Sequence, residues 1–124
     1  MKTVLLYNFS GERLQKVKTA VMLARAGVKV VEKESYGKRL GSLLGAEGYG
    51  SDDADGIEDF NDEMLVMSGF DRDDIDRLII ALRKTGAGRV ALKAVVTPTN
   101  INWSSSELFR AVKADHEEMQ RSKG

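Results

Sequence analysis

The chain has 124 residues, 42% hydrophobic and 31% charged, and its 19 Lys/Arg balance 19 Asp/Glu to a net charge of zero. That length suits one domain with a core of its own, and the composition is that of a globular protein rather than a disordered or fibrous one. With no cysteine, disulfides, thiolate nucleophiles and thiolate-held metals are excluded, and a neutral total disfavours a general nucleic-acid binder.

No apolar run approaches the length of a membrane span, and no basic-then-apolar leader opens the chain. No membrane association and a cytoplasmic location are therefore expected. The charges are unevenly spread: residues 1–44 are net basic, 45–76 strongly acidic and 77–124 basic again. Such blocks suit an acidic middle lying near basic flanks, or an acidic face for a cation or basic partner.

Taken in order, Thr3-Val-Leu-Leu-Tyr-Asn-Phe9 is an apolar run without strict alternation, as expected of a strand buried on both faces. Ser10-Gly11-Glu12 starts a helix whose apolar positions are Leu14, Val17, Val21 and Ala24, with Gly27 as its stop. Val28 to Glu32 is a second strand, and the resulting βαβ unit predicts a parallel pairing of the two strands. Gly37, Gly41 and Gly45 stand four apart, so a short helix here has a glycine face that lets another backbone approach, with Leu40, Leu43 and Leu44 on its buried side.

Residues 46–61 read as an acidic, glycine-rich loop. Within it, Ser51-x-Asp53-x-Asp55-Gly56 matches the first half of a calcium loop, but Asp62 stands where a bidentate glutamate belongs, and no metal site is expected. Met64 to Met67 is a third strand. Asp71 then caps a helix with Ile75, Leu78, Ile79 and Leu82 on its buried stripe and Gly86 and Gly88 at its end. Arg89 to Thr97 is the fourth strand. Ser104-Ser-Ser-Glu107 is a capping box, flanked by Trp103 and Leu108 as a staple, and the last helix runs out into the polar stretch from His116, with residues 120–124 as a flexible tail.

The order β-α-β-(α)-β-α-β-α predicts a single α/β domain over residues 1–124, a three-layer α/β/α sandwich with four mostly parallel strands in the order 2-1-3-4. The competing arrangement is a ferredoxin-like α+β sandwich with an added C-terminal helix. A parallel sheet would bring its strand ends to one edge, and ligands bind there where the strand order reverses. The polar groups expected at that edge are Asn8, Ser10, Ser68, Thr97, Thr99 and Asn100, with Lys93 as the one cation of an apolar strand. Asn8 and Asn100 also have a purely structural reading as ties for loop backbone. Ser10 reads first as a cap, and Lys93 as a lysine that snorkels to the sheet's end.

Met1 to Phe9, Tyr36-Gly37, Met64 to Phe70 and above all Lys93-Ala-Val-Val-Thr-Pro-Thr-Asn100 with Trp103 resemble an uncharacterised bacterial family, domain of unknown function 3783. The Lys-Ala-x-x-Thr-Pro-Thr-Asn-x-x-Trp pattern is the most specific part, and the resemblance implies identity without an activity. No catalytic dyad, phosphate loop or zinc motif is present, so no cofactor is expected. The inventory favours a non-catalytic binding or regulatory module over an enzyme. Its partners would be a small anionic ligand and a protein partner or second copy of the chain. The alternative is a small enzyme using Lys93 with Ser68 or Thr97.

Overall fold

The computed structural model describes residues 2–46 and 59–123. The calcium-loop half-motif and most of the expected acidic loop lie outside the described residues. The elements are β1 (Thr3–Tyr7), α1 (Gly11–Leu23), β2 (Gly27–Val30), α2 (Leu40–Leu43), β3 (Met64–Ser68), α3 (Arg72–Lys84), β4 (Leu92–Val95) and α4 (Ser105–Lys123), with 3₁₀ turns at Lys33–Ser35 and Asn100–Asn102. This is the order read from the sequence, and the four strands form one sheet in the order β2-β1-β3-β4. The sheet is mixed: β1 pairs with β2 and β3 with β4 in parallel, whereas the central pair β1–β3 is antiparallel. The fully antiparallel sheet of the ferredoxin-like alternative is not formed.

The chain divides into two compact units, Met1–Val30 with Asp62–Val95 and Val31–Asn61 with Val96–Gly124. The first unit holds the sheet, α1 and α3. Val4, Leu6, Leu65 and Met67 on one sheet face form a core with Val17, Ala20 and Val21 of α1 and Leu78, Ala81 and Leu82 of α3. The alternate set, Leu5, Tyr7, Met64 and Val66, is fully buried as well. Both faces of the central strands are thus dry, which explains runs without polar alternation.

The two halves of the chain are repeats of one plan. β1 and β3 start at Thr3 and Met64, and the helices after them run Gly11–Leu23 and Arg72–Lys84, a constant offset of 61 residues. At that offset the buried helical positions Val17, Ala20 and Val21 become Leu78, Ala81 and Leu82. The β1–β3 ladder is its own image under the same shift. Thr3 pairs with Ser68 as Tyr7 does with Met64, and Leu5 faces its own counterpart Val66 at the centre. β4 then begins four residues later than the offset would place it, at the counterpart of Gly27, and α4 keeps that extra displacement relative to α2. Each half therefore reads β-α-β-3₁₀-α, and the second carries a four-residue insertion, Gly88–Ala91, before its second strand.

The repeats also end their first helices alike, in left-handed turns that satisfy the last carbonyls. Gly86 has φ +84° after α3, but the matching residue after α1 is Arg25, at φ 62°. Arg25 and Ala26 donate to the carbonyls of Met22 and Val21, and Gly27, expected to be the stop, is instead the first residue of β2. A side chain in the left-handed region costs about 1–2 kcal/mol, partly offset by glycine's larger loss of freedom on folding. Arg25→Gly should raise unfolding stability by about 0.5–1 kcal/mol, whereas Gly86→Ala should lower it, both read from urea midpoints.

The second unit is built around an aromatic stack. The Tyr36 and Phe60 rings lie 4.6 Å apart, and the Phe60 and Phe109 rings 4.0 Å apart and nearly parallel. Leu40 and Leu43 of the short α2 are buried, as its spacing predicts, together with Gly41, whereas Leu44 is half-buried. Arg39 and Ser104, each just ahead of its helix, meet in an antiparallel bridge, and the Leu40 amide donates to the Trp103 carbonyl at 2.9 Å. The expected capping box is present: Glu107 donates its amide to Ser104 Oγ, and its carboxylate accepts from the Ser104 amide. The polar stretch from His116, expected to unravel, continues as helix to Lys123. Among the described residues no helix is long and apolar enough to cross a membrane.

Candidate functional site

The insertion that separates the repeats builds a pocket. Gly88, Arg89 and Val90 come from it, Ile79, Leu82 and Arg83 from the last turns of α3, and Lys93 from β4, around about 340 Å³. Three of these seven residues are cationic and none is acidic. The first repeat has no inserted loop, and the positions matching Arg83 and Lys93 hold Met22 and Val28, which are 70% and 37% exposed.

Several contacts fix the pocket's shape. Gly88 has φ +71°, a conformation that favours glycine, and its amide donates to the Leu82 carbonyl at 3.0 Å. Arg13 of α1 fastens the same loop by donating to the Ala87 carbonyl at 2.5 Å and the Arg89 carbonyl at 3.1 Å. Its Nε bridges both Glu63 oxygens, at 2.8 and 2.9 Å, and its guanidinium lies over the Phe9 ring. Lys93 alternates with Leu92 and Ala94 and so stands on the α1–α3 face. Its ammonium donates to the Val90 carbonyl, towards the start of β4 rather than its loop edge. Burial, and then the nearby Arg89, hold the Lys93 amine below its ordinary pKa. A cluster of positive charge with one member short of water can bind an anion.

A second ionic group closes the sheet's other end. The Asp71 side chain accepts from the Asp74 amide and Asp74 accepts from the Asp71 amide, a reciprocal cap on α3. The buried Asp74 also accepts from Lys2 Nζ at 2.6 Å, with Arg77 at 3.6 Å. The Lys2 hydrogen bond first, then that from the Asp71 amide, hold the Asp74 carboxyl below its usual value of 3.8, against the opposing effect of burial. A depressed folded value stabilises the fold above the ordinary carboxylate range, and that contribution disappears as pH falls through the lower folded value. Urea midpoints should therefore drop on acidification below about pH 4, and Asp74→Asn should flatten the part of the drop that this group contributes.

The residues expected at one sheet edge are placed differently. Because β1 and β3 are antiparallel, Asn8 follows the residue paired with Met64 while Ser68 pairs with Thr3, which sets them about 17 Å apart along the ladder. Asn8, at φ 65°, donates to the Asp62 carbonyl and ties loop backbone. Ser10 holds the cap position of α1 without a side-chain cap bond. Ser68 lies on the face opposite Lys93 by the register of β3 with β4, so these two form no dyad. Thr97 and Asn100 serve each other: the Thr97 amide donates to Asn100 Oδ1 at 2.7 Å and the Asn100 amide to Thr97 Oγ1 at 3.0 Å. Thr99 is exposed at the start of the 3₁₀ turn. Of the seven, only Lys93 lines the pocket.

Arg83, Arg89 and Arg13 were not singled out from the sequence. Arg83 looks like any cation in a helix's last turn, where it also complements the helix dipole. The signal that could have found the site is the alignment of the chain with itself, in which Gly88–Ala91 stands out as the insertion.

Residues 63–119 match the family model of a domain of unknown function (DUF3783), which bears out the resemblance over that part of the chain. The matched segment runs from β3 into α4, nearly all of the second repeat, and includes the whole pocket. No curated protein and no solved structure matches the chain.

Proposed function

We propose that the matched segment is the working half of a non-catalytic binding module, and that it holds a small anionic ligand between Arg83, Arg89 and Lys93. One observation carries this reading: the cationic pocket is made by the insertion and by two cations, Arg83 and Lys93, that replace apolar residues of the first repeat. The sheet and its helices are common to both repeats and need none of these groups. Ile79, Leu82 and Val90 add an apolar wall, so the ligand is an anion with a short apolar body rather than a bare inorganic ion. A cysteine-free chain is compatible with the cytoplasm, where such acids and phosphoesters are abundant.

Thermal shifts against phosphate, phosphosugars, nucleotides and small carboxylates test the reading at constant ionic strength. A ligand at a hundred times its Kd adds about 2.7 kcal/mol of stability. That gain should vanish in Arg89→Gln, whose side chain is exposed and whose loss leaves the fold intact. Binding should also raise the pKa of Lys93, since an anion raises the affinity of an amine for its proton. Equal shifts in the wild type and Arg89→Gln would defeat the assignment.

A further inference from the structure

Two long-range ion pairs of the sheet unit occupy equivalent places in the two repeats, with their charges exchanged. Lys2 and Glu63 precede β1 and β3, and Arg13 and Asp74 are the third residues of α1 and α3. Lys2 reaches Asp74 at 2.6 Å and Glu63 reaches Arg13 at 2.8 Å, so each pair joins the strand start of one repeat to the helix start of the other. Repetition alone would make both pairs alike; here the first repeat is basic at both positions and the second acidic at both.

We infer that this exchange is a pairing code, which admits a first repeat against a second and rejects either repeat against another copy of itself. Two first repeats joined through the same symmetric ladder would set Lys2 against Arg13 twice, and two second repeats would set Glu63 against Asp74 twice. The apolar seam offers no such discrimination, because Leu5 and Val66, Leu6 and Leu65, and Val4 and Met67 are interchangeable in character. Asp74 is 3% exposed and its oxygens also cap α3, so it cannot turn to water to escape a like charge. The ladder is thereby reserved for a first repeat against a second, and two like repeats are refused at this seam.

The test keeps the full chain. Lys2→Glu with Arg13→Asp recreates inside one molecule the contacts that two second repeats would make, and Lys2→Gln with Arg13→Gln removes the attraction without adding repulsion. The reversed variant should melt below the neutral one in low salt, and the gap should close in high salt, because screening acts on the repulsion. Glu63→Lys against Glu63→Gln repeats the comparison at the half-exposed pair, where folding is least at risk. Should the doubly reversed variant be unfolded in low salt, recovery on adding salt supports the code. Reversed and neutral variants that melt together, or a gap that salt leaves unchanged, would overturn it.

Discussion

Replacing Leu65 by alanine should cost about 2–5 kcal/mol of unfolding stability, lowering Tm by roughly 8–20 °C. Leu65 is fully buried, faces Leu6 across the central ladder and lies in the core shared by α1 and α3. Truncation removes its contacts with both repeats at once and leaves a cavity bounded by rigid strands that cannot collapse into it. A domain of this size is stable by about 5–15 kcal/mol, so the variant should remain folded but marginal. Urea denaturation measures the loss, and a cost below that of a surface substitution would contradict the packing described.

Phe60→Ala should cost about 3–5 kcal/mol. The ring is 5% exposed and sandwiched between Tyr36 and Phe109, and each aromatic pair adds about 0.5–1.5 kcal/mol beyond burial. The variant has a second readout in Tyr36, whose phenol is pushed up to about 12 by burial first and then by Asp59 and Glu32. Removing the stacked ring admits water, so phenolate formation should begin at a pH nearer the ordinary 10.0. An unchanged titration with a lowered urea midpoint would show that the ring stabilises the unit without sheltering the phenol.

Much of the fold was legible because burial writes itself into periodicity. The helices of Leu14–Val21 and Ile75–Leu82, the strand runs and the order 2-1-3-4 all follow from where apolar residues recur. The parallel β1–β2 pairing follows from the βαβ unit, but the direction of β3 does not, since an apolar run such as Met64–Met67 reads the same whichever way it is laid beside β1. The antiparallel β1–β3 pairing sends Asn8 and Ser68 to opposite ends of the ladder, so the expected groups do not share one edge. Lys93 stands out in the sequence as the odd residue of an apolar strand, but its bend back to Val90 depends on contacts that spacing does not encode. The repeat was hidden by low identity. At the helical offset Phe9 matches Phe70 and Ala20 matches Ala81; past the insertion Val30 matches Val95 and Leu43 matches Leu108. What persists between the halves is the position of burial and of backbone turns rather than residue type.

The central antiparallel ladder also imposes a schedule on synthesis. β1 leaves the ribosome on the order of 60 residues before β3, which at about 5–20 residues per second is a delay of about 3–12 s. During that interval β2 can cover one edge of β1 through their local crossover, while the other edge, Val4 to Tyr7, has no partner from its own chain. An uncovered apolar strand edge is a template for aggregation, so the nascent first half should be the stage at which this protein depends most on a chaperone.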